Sequence, residues 1–273
     1  MADEKPDRAI PRVGFPDMNR YLHGIMIPIG DDNPARRVTP YVNYLLLAAN
    51  IFVFVYFQGL GGNLDFTYSY SAVPAEIITG RDLVTDPEVV RDPFTGHVFT
   101  IPGLGVTLIP VWLTLFTAMF MHGGISHIAG NMLYLWVFGD NLEHRLGHGR
   151  YLLFYLLCGV LASIAHVATT LFSPQNALVP SLGASGAISG IMGAYIILFP
   201  GNRVTLLFFP FTIRVSALVA LGFWIAMQVI NGMGMLGGDD TGVAYAAHIG
   251  GFVAGMMLIG IFDRDQEARI THR

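Results

Sequence analysis

The sequence predicts an all-α membrane protein with six spanning helices, both termini on the inner side, and a short central helix that carries a serine. Three observations predict it. Only 12% of the 273 residues are charged and 53% are hydrophobic, where a soluble globular domain carries roughly 25% charged residues. The charges also leave long gaps: none falls between Arg37 and Asp65, Asp92 and Asp140, Arg150 and Arg203, Arg214 and Asp239, or Asp240 and Asp263. A span needs about 20 mostly apolar residues, so the third gap holds two spans and each of the others holds one. Finally, with the N-terminus inside, the inner segments carry thirteen Lys and Arg and the outer ones two, the asymmetry that the positive-inside rule requires.

Residues 1–39 form a polar, inner N-terminal segment whose Arg36 and Arg37 stop just before the first span. It lacks the apolar core and small-residue cleavage site of a signal peptide, so the first span, about Pro40 to Gly59, is expected to stay uncleaved. Residues 61–125 are an external segment rich in Pro, Gly and acidic residues. The second span runs from about His127 to Leu146 and the third from Tyr151 to Phe172, before the turn residues Ser173-Pro174-Gln175-Asn176. A fourth span starts at Ser185 and ends at Pro200. The fifth covers about Val215 to Gly232, a loop with Asp239 and Asp240 follows, and the sixth covers about Val243 to Phe262. The spanning region is thus 40–262, with an inner tail at 263–273.

The fourth span is short. From Ser185 to Pro200 a helix rises about 24 Å, less than the roughly 30 Å hydrocarbon core. Ser185 therefore lies beneath the outer surface, behind the irregular loop Val179-Pro180-Ser181-Leu182-Gly183, and such backbone is tolerated at that depth only where protein or water satisfies it. The stretch Gly183-Ala184-Ser185-Gly186-Ala187-Ile188-Ser189-Gly190 is the centre of the chain's chemistry. A serine hydroxyl becomes a nucleophile only when a base takes its proton and donors stabilise the oxyanion.

The base candidate is His248, near the outer end of the sixth span. Gly251 and Gly255 give that span a small-xxx-small face, and Gly186 and Gly190 give the fourth span another, so the two backbones can approach closely and bring His248 to Ser185. His127 and Asn131, four residues apart on one face of the second span, are donors for an oxyanion, and the Ser185 backbone N–H at a helix start is a third. Taken singly, each feature has a plainer reading. A serine opening a helix is an N-cap, a lone intramembrane histidine is a packed polar residue, and His127 with Asn131 is an interhelical polar pair. Their common placement near the outer side favours chemistry. His122, in Met121-His122-Gly123-Gly124, is an accessory or structural histidine, and His166 is a buried polar contact.

The residues Gly183-Ala184-Ser185-Gly186, the segment His122…His127-x-x-x-Asn131 and Ala247-His248-x-x-Gly251-x-x-x-Gly255, in that order on six spans, resemble the rhomboid intramembrane serine proteases. The resemblance covers about Tyr41 to Phe262. It implies a six-span rhomboid-like bundle in which Ser185 is the nucleophile, His248 the base of a catalytic dyad, and His127, Asn131 and the Ser185 backbone the oxyanion hole. Glu143 matches a family position with a structural role. The resemblance also implies transmembrane protein substrates that enter sideways between spans, with small residues at the cleavage site and a helix that unwinds readily. Two positions depart from the family pattern: Trp112 is followed by Leu113 rather than Arg, and Ser189 stands where some members carry a tyrosine that supports the catalytic histidine.

Other classes fit less well. A net charge of −4 gives no sign of a nucleic-acid partner. The single Cys158 excludes an intramolecular disulfide and a cysteine-based metal site, and the expected chemistry needs neither metal nor organic cofactor. A small transporter would show discontinuous spans in repeated halves, and no repeat is visible. A non-proteolytic, client-binding relative would be expected to lack Ser185 or His248. Besides its substrates, the partner is the lipid bilayer, and the low lysine count and short loops suit a bacterial inner membrane.

Overall fold

The computed structural model describes residues 27–32, 39–91, 98–172, 174–236 and 244–270. The loop expected to hold Asp239 and Asp240, and most of the N-terminal segment, lie outside these residues. The chain is mostly helical. By length and composition, His148–Thr170 (α6) and Tyr245–Ile270 (α9, through Asp263) are apolar enough to cross a bilayer. Ile125–Leu146 (α5) is long and apolar enough as a pair with Val111–Phe120, from which it is bent by 80°. Three shorter apolar helices complete the set: Tyr41–Phe57 (α1), Ser185–Leu198 (α7) and Ala217–Met233, the apolar part of Ala217–Leu236 (α8). Each of the six falls on a stretch expected to span, with ends shifted by a few residues, and together they make a multi-pass membrane protein.

Helix α7 sits at the centre. Every residue from Gly186 to Tyr195 is buried, as befits a helix that is apolar all round. Its glycines explain how neighbours come so close. A Cβ on Gly251 of α9 would lie 2.1 Å from the Gly186 carbonyl oxygen, and one on Gly255 would lie 1.9 Å from that of Gly190. A Cβ on Gly193 of α7 would in turn meet the Phe252 oxygen at 2.0 Å. Helix α6 presses on the other side, where Cys158, fully buried, lies against Gly190; its role is packing.

At the end of the bundle away from Ser185, polar side chains do the joining. Glu143, on the last turn of α5 and fully buried, accepts the backbone N–H of Val42 at 2.9 Å and of Asn43 at 2.7 Å. Those are first-turn donors of α1 with no partner inside their own helix. The same carboxylate meets His148 Nδ1 at 2.5 Å. Tyr151 donates to Asn43 Oδ1 at 2.7 Å, and Asn43 Nδ2 donates to the Leu135 carbonyl at 3.1 Å. Arg145 closes the same end with a two-pronged pair to Asp263 on α9, at 2.7 and 2.8 Å.

The β-structure was not expected from the sequence. Ile27–Asp31 (β1), Arg203–Phe208 (β4) and Phe211–Ser216 (β5) form an antiparallel sheet in the order β1-β4-β5. The pattern behind it is period two: Val204 and Leu206 are buried and their neighbours are not, in a stretch that gaps between charges mark only as a connection. Asp31 receives the Tyr195 hydroxyl of α7 and the Asn141 amide of α5, the latter at 2.6 Å, so the strand is tied to the bundle.

Residues 61–125, expected to be external, are also more ordered than a polar tether. They contain Leu64–Ser69 (α2), Pro74–Thr79 (α3), a ladder of Glu88–Arg91 (β2) with Val98–Ile101 (β3), and Thr114–Thr117 (α4) between two short 3₁₀ turns.

Candidate active site

Ser185 opens α7, and the loop before it is fixed from three directions. Gly183 N–H donates to the Ala118 carbonyl at 2.9 Å, while Ser181 and Ala72 exchange two backbone hydrogen bonds at 2.8 and 2.9 Å. Ala75 N–H donates to the Ala177 carbonyl at 2.9 Å. The 61–125 segment therefore holds the loop that presents the serine. Gly183 is needed there: its φ is +121°, and a Cβ would stand 2.9 Å from His127 Nε2.

Ser185 Oγ lies 2.8 Å from His248 Nε2. The close glycine contact between α7 and α9 sets that separation, because both side chains leave their helices one turn or less from it. The other ring nitrogen, Nδ1, lies 2.8 Å from Oε1 of Gln228 on α8. A carbonyl oxygen can only accept, so the hydrogen rides on Nδ1 and Nε2 offers its lone pair to the serine hydroxyl. Trp224, one turn before Gln228, sets its indole 5.8 Å from the imidazole and 6.2 Å from the Phe252 ring.

His127 lies across the Gly183 loop. Its Nδ1 accepts the Gly123 N–H at 3.3 Å, which leaves the proton on Nε2, the nitrogen facing Gly183. Asn131 spends one amide hydrogen on the His127 carbonyl at 3.1 Å and keeps a second. The first N–H groups of α7 have no carbonyl partner within the helix; the i→i−4 pattern begins with Ile188 N–H to Ala184 at 3.0 Å. Free donors at a helix N-terminus favour an anion. Beside them, Ala118, Gly159, Ala162, Ser181, Gly183 and Ala247 are among the small residues that, with the serine, line a cavity with ≈ 20 Å³ for the centre of a water molecule.

The accessory histidine stands one layer back. His122 is fully buried, its ring edge-on to His127 with centroids 5.2 Å apart, and no hydrogen bond joins it to Ser185. Its backbone is gripped by the Gln58 side chain, which accepts the His122 N–H and donates to its carbonyl, both at 2.9 Å. His166, buried on α6, holds to neither Ser185 nor His248 by a hydrogen bond. Among the described residues no group of three or more His, Cys, Asp and Glu is arranged to hold a metal ion.

The two departures have local answers. Ser189 turns back into its own helix and donates to the Ser185 carbonyl at 2.6 Å, so the ring beside His248 is Trp224. Trp112 rests against Gly80, and Thr114, fully buried, bonds the Val111 carbonyl at 2.5 Å. Sequence reasoning missed Gln228 and Trp224. The available signal was an amide inside an otherwise apolar helix, which is rarely idle in a membrane, with an aromatic ring four residues earlier on the same face.

Comparison with known proteins bears on the whole region. The chain is 41% identical over 140 residues to Rhomboid protease GluP of Bacillus subtilis, covering 51% of this chain and 26% of that protein. It is 29% identical over 152 residues to the mitochondrial Rhomboid protein 1 of Saccharomyces cerevisiae, covering 53% and 40%. With RHOMBOID-like protein 4 of Arabidopsis thaliana it shares 33% over 145 residues, covering 53% and 32%. The chain thus matches less than half the length of these relatives. Mitochondrial names stand beside a bacterial one, so the bacterial inner membrane expected from composition draws no support from them. The model of the Rhomboid domain matches residues 110–264, more than half of the chain and a stretch that holds His122, His127, Asn131, Ser185, Gln228 and His248, and on that match the protein belongs to the rhomboid family.

Proposed function

We propose that this protein is an intramembrane serine endopeptidase that hydrolyses peptide bonds in or next to the transmembrane segments of membrane proteins. The observation that carries the reading is the 2.8 Å contact between Ser185 Oγ and His248 Nε2, at the start of a helix whose first N–H groups are free. His248 takes the serine proton through Nε2 as Oγ attacks the scissile carbonyl carbon. The carbonyl oxygen becomes an oxyanion beside the Ser185 N–H, Asn131 and His127 Nε2–H. The tetrahedral centre collapses, the peptide C–N bond breaks, and the proton on Nε2 passes to the leaving amine. Water then adds to the acyl-enzyme and gives a proton to His248, the acyl–Oγ bond breaks, and His248 returns that proton to Ser185 Oγ as the new carboxyl end leaves.

The topology that goes with this chemistry is six spans with both termini inside, domain boundaries at 40–262, and short segments 1–39 and 263–273 on the inner side. The charge asymmetry supports it, and the shortness of α7 supports a depth for Ser185 below the outer surface. The small-residue cavity next to Ser185 suits a small side chain at the cleavage site. A substrate helix must present extended backbone there, and the free donors around Ser185 compensate for the hydrogen bonds it gives up on unwinding.

The test is cleavage of a single-span reporter protein by the purified enzyme in liposomes. Loss of cleavage in both Ser185→Ala and His248→Ala, with folding intact, is the expected result, together with fluorophosphonate labelling of the parent at Ser185. Cleavage that survives Ser185→Ala would overturn the mechanism.

A further inference from the structure

We infer that Gln228 is a positioning residue for the base, so that the working unit is Ser185–His248–Gln228, an amide standing where many serine hydrolases use a carboxylate. This deepens the proposed function and rests on it. The geometry is a continuous line of hydrogen bonds across three helices: Ser185 Oγ to His248 Nε2 at 2.8 Å, and His248 Nδ1 to Gln228 Oε1 at 2.8 Å.

An imidazole with only one partner has two tautomers and a free rotation about its side-chain bonds. The amide oxygen removes both freedoms. As an acceptor it keeps the hydrogen on Nδ1, which leaves Nε2 as the base, and it steadies the imidazolium that forms when Nε2 takes the serine proton. Were the amide reversed, its N–H would point at Nδ1 and drive the hydrogen onto Nε2, where it would block the serine. Trp224 closes one side of the ring and reaches Phe252 one turn further along α9, which limits tilting of the imidazole. Both residues come from α8, at i and i+4.

This support replaces what Ser189 cannot give, since its hydroxyl is committed to the Ser185 carbonyl. The other titratable groups whose charge reaches His248 are His127 of α5 and His166 of α6. Neither hydrogen-bonds it. Gln228 is therefore the group through which the electronic state of the base is set from behind.

The experiment compares the full-length parent with Gln228→Leu, Gln228→Glu and Ser185→Ala in liposomes, measuring kcat, KM and the pH–rate profile on a single-span reporter. Leucine keeps the volume and removes the acceptor; glutamate keeps the acceptor and adds a charge. Gln228→Leu should lower kcat by roughly tenfold to a hundredfold with KM unchanged. Gln228→Glu should retain most of kcat and move the acidic limb of the profile toward higher pH, because a carboxylate favours the imidazolium. Parental kcat in Gln228→Leu, with Ser185→Ala inactive, overturns the inference and leaves the serine mechanism standing. So does a loss that is the same in leucine and glutamate variants at every pH, the mark of packing alone. Activity surviving in Ser185→Ala would remove the underlying mechanism, and this inference with it.

Discussion

Gly255 of α9 lies so close to the Gly190 carbonyl of α7 that a Cβ at position 255 would stand 1.9 Å from its oxygen. No rotamer change relieves a contact between a Cβ and backbone. Gly255→Ala therefore forces the two helices apart, and overpacking of this kind costs about 1–3 kcal/mol or more. Since this contact continues the glycine face whose next pair, Gly186 and Gly251, lies within one turn of Ser185 and His248, the variant should lose reporter cleavage as well as thermal stability in detergent. Gly260→Ala is the control: a Cβ at Gly260 meets nothing within 4 Å, so both properties should stay at the parental level.

The same glycines were readable in the sequence, because spacing of four on two apolar stretches is enough to name two close-packing faces. The order of the six apolar helices was readable for a similar reason: charges are costly in lipid, so their absence marks each segment. What stayed hidden depends on contacts that no local pattern encodes. The exchange between Ala72 and Ser181 joins residues more than a hundred positions apart and involves backbone alone, so no side chain announces it. Gln228 is an ordinary amide until α8 turns it toward His248. The β4–β5 hairpin stayed hidden because the charges of Arg203 and Arg214 mark its stretch only as a connection, and its period-two signal is confined to Val204 and Leu206.

The donor set around Ser185 predicts a graded loss. In the proposed mechanism His127 Nε2–H and Asn131 serve the oxyanion rather than ground-state binding, so Asn131→Ala and His127→Ala should each lower kcat by about 10²–10³ with little change in KM. Fluorophosphonate labelling should slow as well, since the probe also reacts through an anionic centre. An equal rise in KM with unchanged kcat would instead assign these residues to substrate binding.

Glu143 anchors the opposite end. Glu143→Ala removes the acceptor for the Val42 and Asn43 N–H groups and leaves His148 without its partner. Each buried donor left unsatisfied costs about 1–3 kcal/mol, so a lower midpoint of thermal unfolding is expected. In protein that remains folded at low temperature, labelling of Ser185 should persist, because the bonds of Glu143 do not touch the serine. Loss of labelling in that folded protein would show that the two ends are coupled.

The burial of Glu76 predicts a pH-dependent stability for the 61–125 segment. Its side chain is buried within α3, and burial pushes its carboxyl above the usual 4.5; the Leu83 N–H, bonded to Oε1 at 3.0 Å, works against that shift and the charge of Asp82 adds to it. A carboxyl raised in the folded state binds its proton more tightly there than in the unfolded chain. Its contribution to stability is therefore full below about pH 4.5 and is lost as pH rises through the higher folded value. A glutamine side chain at this position would keep the acceptor for Leu83 without the charge. Glu76→Gln should thus match the parent in thermal unfolding at acid pH and exceed it at neutral pH, and a parent whose stability is flat across that window would contradict the assignment. Because α3 contains Ala75 and follows Ala72, which hold the loop before Ser185, the same substitution should also slow proteolytic nicking of that loop at neutral pH.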